Sequence, residues 1–194
     1  QAAKMHYMTG GQAKVPMVLH TTLGSGRRQG AQHSQCLHAW FAHIPGLKVV
    51  LPSTPYDVKG LMKAAIRYDG PVVFFDHKMM GRAKGLVPDG EYLVPLGVAD
   101  VKRVGSDVTV VATSRMVHVA LEAADILAKE GISIEVVDPR TVSPLDMDTI
   151  VASVQKTHRV IVADEGHVSF GVTAEISARI MEAAFDYLDA PVMR

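Results

Sequence analysis

The chain has 194 residues, of which 48% are hydrophobic and 21% charged, and its 20 basic and 20 acidic residues leave no formal net charge. This balance provides no global field that would attract nucleic acid or an anionic membrane surface, and no apolar run reaches the ~18–20 residues of a membrane span. The single cysteine, Cys36, excludes an intramolecular disulfide and fits a reducing compartment.

The first half of the chain alternates short apolar runs with helical patterns. We predict strands over 15–19, 47–51 and 72–75, and helices over 1–8, 34–43 and 54–68. In the second helix, the spacing places Leu37, Trp40 and Phe41 on one apolar face. The third helix has Thr54 as its N-cap and Pro55 at its first position.

Residues 77–97 are rich in glycine and proline and show no sustained period, which indicates a linker. Beyond it we predict strands over 107–113, 132–137 and 160–163, and helices over 116–130, 145–154 and 171–185. Strands that alternate with helices in this way indicate parallel βαβ units. We therefore predict two α/β domains, each a mainly parallel sheet flanked by helices, over residues 1–80 and 98–194, joined by a linker over 81–97.

The most informative segment is the glycine-rich basic loop 24–30, which leads directly to His33. Three glycines allow positive φ and a close approach of the backbone to a ligand. A titratable group presented by a loop at a helix start is a common way to build an active site. The alternatives are a surface loop whose Ser34 caps a helix, or a histidine with a structural role.

Other motifs are absent or have a simpler interpretation. The loop lacks the Gly-Lys-Ser/Thr ending of a phosphate-binding P-loop and the spacing of a dinucleotide fingerprint, and no histidine or cysteine spacing suggests zinc. Gly-x-Ser-x-Gly does not occur, which argues against a hydrolase. Arg27 and Arg28 are interpreted as solvated or paired with a partner, His118 as structural, and the turn at His167 as an ordinary βα turn.

Several motifs together resemble one family over essentially the whole chain. The motifs lie at 31–35, 40–50, 52–57 and 59–61 in the first half, and at 105–112, 137–141, 144–146, 156–157 and 170–176 in the second. The set resembles the beta subunit of the thiamine-diphosphate-dependent decarboxylating component of 2-oxoacid dehydrogenase complexes, which includes pyruvate, branched-chain and acetoin dehydrogenases.

The resemblance implies a transketolase-like architecture, with the later part of a pyrimidine-binding domain followed by most of a C-terminal domain. It implies an α2β2 heterotetramer in which the alpha subunit holds diphosphate and magnesium, and a partnership with a lipoyl acyltransferase core. The glutamate that activates the aminopyrimidine is expected upstream of Gln1, so the cofactor-binding residues of this chain stay unassigned. The compartment would be the bacterial cytoplasm or the mitochondrial matrix.

The family's catalytic histidine corresponds to His33, and imidazole suits proton transfer near neutral pH. Some relatives hold a structural potassium through backbone carbonyls, which correspond here to Ala65 and Ile66. Tyr68 and Gly70 replace the acidic and amide residues of those relatives. His38 also departs from the family pattern.

The resemblance favours 2-oxoacid oxidative decarboxylation, or acetoin cleavage, with acyl transfer to lipoamide. Pyruvate or acetoin is favoured over branched-chain acids as the substrate. Two alternatives stay open. One is a transketolase or deoxyxylulose-phosphate-synthase-like transferase, and the other is a non-catalytic dimerisation or docking module of the complex.

Overall fold

The computed structural model describes residues 1–194 and contains six α-helices and eight β-strands. In chain order the elements are α1 (Ala2–Met8), β1 (Val18–Leu23), α2 (His38–Ala42), β2 (Lys48–Val50), α3 (Pro55–Arg67), β3 (Val72–His77), β4 (Asp100–Arg103), β5 (Val108–Ala112), α4 (Arg115–Ala128), β6 (Ile134–Asp138), β7 (Thr141–Ser143), α5 (Met147–Thr157), β8 (Val160–Ala163) and α6 (Val172–Ala184).

The strands form two four-stranded sheets, in the orders β1-β3-β2-β7 and β4-β6-β5-β8. Three strands of each sheet are parallel, whereas β7 runs antiparallel to β2 and β4 antiparallel to β6. This confirms the predicted class of two mainly parallel sheets flanked by helices. β4 and β7 are absent from the sequence-based prediction, and β7 extends the first sheet although it comes from the second half of the chain.

Each sheet is covered on both faces by packed side chains. Successive residues of a strand point to opposite sides, so each strand contributes to both cores. In β3, Val72 and Phe74 pack with the apolar face of α3, while Val73 and Phe75 pack on the opposite side with Leu23 of β1. The second sheet repeats this arrangement, with α4 on one face and α5 and α6 on the other. Its parallel strands are accordingly rich in valine and isoleucine.

Two elements of the first half differ from their predictions. The strand predicted over 15–19 lies at Val18–Leu23, because its pairing with β3 continues through the polar residues of β1 as far as Leu23 opposite His77. The helix predicted over 34–43 is limited to His38–Ala42. Residues 31–33 form a separate 3-10 turn, which Ser34 ends.

The buried face of α2 is only partly the predicted one, since Phe41 packs against the core but Trp40 does not. Trp40 is 68% exposed and Phe41 is half-buried, whereas His38 is only 2% exposed. The reason is tertiary, since His38 faces Asp164 of the second half of the chain, with Nε2 and Oδ2 3.2 Å apart. A helix of one and a half turns is too short for its own hydrophobic pattern to fix its orientation.

The segment over 81–97 has no helix or strand, but it is packed. Val94 is buried against α3, and Tyr92 stacks on Tyr56 with ring centroids 4.5 Å apart. A Cβ at Gly60 would lie 2.5 Å from Val94, so the absence of a side chain there allows this segment to approach the helix.

Buried charges join the two halves of the chain. Asp57 at the start of α3 is fully buried, and its carboxylate accepts a hydrogen bond from Lys102 Nζ at 2.7 Å. Arg140 Nε lies 3.2 Å from the same carboxylate, and Asp100 contacts both cations at 2.7 Å. We call these residues the Asp57 cluster. Each charge faces an opposite charge, which offsets much of the cost of burial, although Asp57 Oδ1 and Arg140 Nε face each other without a well-formed hydrogen bond.

Asp138 lies at the edge of this cluster and is also fully buried. Its carboxylate accepts hydrogen bonds from Ser53 Oγ and from the backbone N–H of Arg140. Burial raises the pKa of Asp138 from 3.8 to about 6, although Lys102 and the two hydrogen bonds partly oppose that rise.

We expect Asp57→Ala to lower the free energy of unfolding by up to about 3–5 kcal/mol, because Lys102 and Arg140 lose the fully buried carboxylate that they share and keep Asp100 as their common partner. The control is Asp69→Ala, which removes an ion pair to Lys14 whose side chains are 60% and 65% exposed. It should cost less than about 1 kcal/mol. Chemical denaturation of the two variants checks this, and equal losses would contradict a special role for the Asp57 cluster.

The pKa of Asp138 predicts a pH dependence of stability. Since the folded state binds this proton more tightly than the unfolded chain, ionisation between about pH 4 and pH 6 disfavours the folded state. The stability of the wild type relative to Asp138→Asn should therefore fall as pH rises through that window, by up to about 3 kcal/mol. Denaturation midpoints measured at several pH values test the sign, and a difference that rises with pH would be contrary to it.

Candidate active site

The glycine-rich loop lies directly on the residues that follow β3. Gly24 has φ +106° and Gly26 has φ +96°. A Cβ at Gly24 would overlap the imidazole of His77, and one at Gly26 would lie 3.2 Å from Cγ of Met79. Both glycines are therefore explained by a close approach within the chain, in addition to their backbone conformation.

Hydrogen bonds tie this loop to the same segment. The Arg27 guanidinium donates to the carbonyl of Lys78 at 2.6 Å, and Lys78 Nζ donates to the carbonyl of His33. Ser34 Oγ donates to the carbonyl of Gly30 at 2.8 Å and closes the turn. Arg27 thus has a structural partner within the chain, although solvent or a partner subunit was its predicted contact.

His33 is the last residue of the 3-10 turn and is exposed. Its backbone carbonyl is held by Lys78, whereas its ring nitrogens make no hydrogen bond or ion pair within the chain. The prediction that it lies at a helix start is wrong, because α2 begins five residues later at His38. An anchored backbone with a free imidazole leaves the ring available to accept or donate a proton.

Beneath the loop, the imidazole of His77 contacts the second half of the chain. Its side chain is only 1% exposed, and its Nε2 is bonded to the carboxylate of Glu165. Arg115 Nη1 donates to the other oxygen of Glu165 at 2.8 Å. Burial opposes ionisation of Glu165, but the interactions with His77 and Arg115 outweigh it and lower the pKa of this carboxyl.

A second carboxylate pairs with a histidine beside this one. Asp164 faces His38, and it accepts hydrogen bonds from Thr113 Oγ1 and, at 2.7 Å, from the backbone N–H of Gly166. Burial again favours the neutral acid, but His38 and the two hydrogen bonds prevail and lower the pKa of Asp164. These partners provide the structural account of His38 that the sequence does not offer.

The two carboxylates come directly after β8, next to the end of β5 in the second sheet. This is where open α/β sheets usually bind ligands. Here, however, histidines from the first half of the chain occupy the position. Sequence analysis missed the role of Asp164 and Glu165 and considered the adjacent His167, which is exposed. The sequence signal that could have identified these two residues is an acidic pair immediately after a buried strand.

Cys36 lies in the same region but is unsuited to nucleophilic chemistry. Burial raises the pKa of its thiol to about 11, with a further contribution from the negative charges of Glu165 and Asp164. A thiol that stays protonated at neutral pH is a weak nucleophile. Cys36 therefore acts as a core residue, packed with Leu23 and Phe75.

The carbonyls of Ala65 and Ile66 lie in the last turn of α3. That of Ala65 accepts the backbone N–H of Tyr68 at 3.2 Å, while that of Ile66 receives no hydrogen bond. Lys48 Nζ lies 4.6 Å from the centre of the Tyr68 ring, so one cation is already present near this helix end. A free carbonyl at a helix C-terminus fits a cation, and the nearby ammonium opposes it.

A groove elsewhere on the molecule does not include His33. It has a volume of about 720 Å3 and lies between α2 and the start of α6, where Trp40, Pro144 and Phe170 line it. Phe170 is 98% exposed. The groove is also lined by titratable side chains, among them His43 and Glu175. We take the anchored loop as the candidate active site because Lys78 fixes the backbone of His33 while its imidazole stays exposed.

Two family descriptions match the chain. Residues 1–84 match the transketolase pyrimidine-binding domain, and residues 97–194 match the transketolase C-terminal domain. A solved structure of a split-gene transketolase, described as an inactive beta4 tetramer, has a TM-score of 0.78 and 28% sequence identity. The similarity covers 93% of this chain and 57% of that one.

The chain is similar in sequence to subunits of dehydrogenases. It is 50% identical over its whole length to the acetoin:2,6-dichlorophenolindophenol oxidoreductase subunit beta of Bacillus subtilis, and 52% identical over 99% of its length to that of Cupriavidus necator. It is also 50% identical to the mitochondrial pyruvate dehydrogenase E1 component subunit beta of Dictyostelium discoideum. It covers 57%, 57% and 55% of these proteins, a little over half of each. By its two matched domains and its fold, the chain belongs to the transketolase family.

Proposed function

We propose that this chain is part of the beta subunit of a thiamine-diphosphate-dependent dehydrogenase that acts on pyruvate or acetoin. The observation that carries the proposal is the loop that leaves His33 exposed and free, within a chain about 50% identical to subunits named for acetoin and pyruvate oxidation. Transketolase-type transfer is less well supported, because the split-gene transketolase is only 28% identical.

In this proposal His33 is the acid/base residue. Its carbonyl is fixed by Lys78, so the position of the residue is set by the backbone while its ring stays free. An imidazole so placed can donate a proton to a developing alkoxide and remove one from a hydroxyl group. It can also orient a bound oxygen through a hydrogen bond, which contributes to rate through positioning.

The loop suits this role and does not suit the binding of a diphosphate. The space beside Gly24 and Gly26 is filled by His77 and Met79, and the N–H of Gly24 points to the carbonyl of Gln35 at 3.4 Å. When bound, thiamine diphosphate supplies the stabilised carbanion of the reaction. We assign its diphosphate and magnesium to an alpha subunit, with this chain providing His33.

The proposed assembly is an α2β2 heterotetramer that delivers acyl groups to a lipoyl acyltransferase core. It would operate in a bacterial cytoplasm or a mitochondrial matrix, as the names of bacterial and mitochondrial relatives suggest. No helix of the chain is both long and apolar enough to cross a membrane. The carbonyls of Ala65 and Ile66 are the proposed potassium ligands of this subunit.

Replacement of His33 should separate catalysis from assembly. In the full-length protein with its alpha subunit, His33→Ala is expected to lower turnover of acetoin or pyruvate by about 100-fold or more, because general acid–base catalysis typically contributes that much. Turnover is measured with 2,6-dichlorophenolindophenol and with a lipoyl domain as acceptors. Folding of this chain should be unchanged, since the His33 ring makes no hydrogen bond or ion pair within it, and size-exclusion chromatography checks that the variant still assembles.

The control is His43→Ala, which removes an exposed histidine of the same region and should leave turnover unchanged. Wild-type-like turnover of His33→Ala would refute the catalytic role and favour a docking module. Activity with sugar phosphates in place of pyruvate and acetoin would instead favour a transketolase-type transferase.

The potassium site is tested by thermal unfolding of the full-length protein in potassium chloride and in tetramethylammonium chloride at equal ionic strength. Potassium should raise the melting temperature, because a ligand that binds only the folded state stabilises it. Lys48→Met, which removes the competing ammonium, should increase the shift. Identical melting temperatures in the two salts would rule out the assignment to Ala65 and Ile66.

A further inference from the structure

The loop that carries His33 spans residues 24–35, between the core residues Leu23 and Cys36. Gly24 and Gly26 rest on His77 and Met79, and the hydrogen bonds that leave this segment from Arg27 and His33 go to Lys78. These three consecutive residues end β3 and form the turn after it. The position of His33 therefore depends on how this short segment, which we call the 77–79 seat, is itself held.

Hydrogen bonds fix the imidazole of His77 in one orientation and one tautomer. Its Nδ1 accepts the backbone N–H of Met79 at 3.1 Å, so this nitrogen carries no proton. The remaining proton is on Nε2, which donates to Glu165. Since one nitrogen caps the local turn and the other binds the second half of the chain, His77 connects the seat to Glu165.

Glu165 is in turn fixed from its far side. Arg115 at the start of α4 donates to it at 2.8 Å. The preceding residue, Ser114, has φ +49° and ψ −122°, a strained conformation for a residue with a side chain. The residue before Ser114, Thr113, donates to Asp164. The strained turn therefore directs the side chains on either side of Ser114, Thr113 and Arg115, towards the two carboxylates.

We propose that Glu165 is a positioning residue for His33, acting from the C-terminal domain through His77 and the 77–79 seat. The proposal rests on the proposed function of His33. If the contact between Glu165 and His77 served only to hold the domains together, apolar side chains could replace it without the cost of desolvating a carboxylate. A carboxylate that fixes both the rotamer and the tautomer of His77 instead defines the surface on which Gly24 lies.

Four substitutions test this in the full-length protein assembled with its alpha subunit. Glu165→Ala removes the acceptor, and His77→Asn keeps an oxygen for the Met79 N–H but breaks the connection to Glu165. We expect each to lower kcat by about 10- to 100-fold with a smaller change in KM, since misplacement of a reacting group by about 1 Å has such effects. Lys78→Met should act similarly by freeing the His33 carbonyl. His77→Gln, which can still reach Glu165, should restore part of the rate.

The matched control is Asp164→Asn. This residue is the neighbouring buried carboxylate that pairs with a histidine of the first half, but it has no contact with loop 24–30. It should lower stability and leave kcat unchanged. If Asp164→Asn and Glu165→Ala reduce kcat equally, general loosening of the interface explains both and the positioning role is refuted.

Two further readouts distinguish positioning from stability alone. In a His33→Ala background, Glu165→Ala should cause no additional loss of kcat, because both changes remove the same contribution. Amide hydrogen exchange over residues 24–35 should accelerate in Glu165→Ala and stay at the wild-type level in Asp164→Asn. Unchanged exchange in Glu165→Ala, or additive losses of kcat, would overturn the proposal.

The exchange measurement does not depend on the reaction. If the wild type turns over neither pyruvate nor acetoin, the proposed function fails while accelerated exchange still establishes that Glu165 holds the loop. If turnover depends on His33 but exchange is unaffected by Glu165→Ala, the proposed function stands and the positioning role fails.

Discussion

The structure depends on pairs of buried charges and imidazoles that span its two halves. Asp164 and Glu165 accept from, or face, histidines of the first half, and the Asp57 cluster joins the halves elsewhere. Burial of ions is costly unless their partners and hydrogen bonds are complete. Because the partners come from different sheets, the relative placement of the sheets is specified more narrowly than apolar packing alone would require.

The same pairs occupy the part of the second sheet where related architectures bind ligands. A position suited to a ligand is filled here by His38 and His77, and the free imidazole lies on the loop above. In the proposed arrangement the C-terminal domain would support the candidate site without contributing a reacting group. Gly24 and Gly26 allow the loop to lie directly on His77 and Met79, so a phosphate ligand is not needed to explain these glycines.

The features that local patterns encode were predicted from the sequence with good accuracy. Helix α3 begins at Pro55 with Thr54 as its N-cap, as expected from a polar cap followed by proline. The strands β3, β5, β6 and β8 were found because parallel strands buried on both faces form continuous apolar runs. The short strands β4 and β7 were missed, because pairing with distant strands defines them and their own composition does not.

By itself, the sequence determined the two α/β halves, the resemblance to dehydrogenase beta subunits and the choice of His33 as the candidate catalytic residue. These follow from periodicity and from motifs that are contiguous in the chain. The tertiary structure decided that His38 is buried and Trp40 exposed, and that Glu165 and His77, 88 residues apart, meet beneath the loop. Hydrogen bonds between such distant residues leave no periodic signal, because they form only after both sheets have folded and docked.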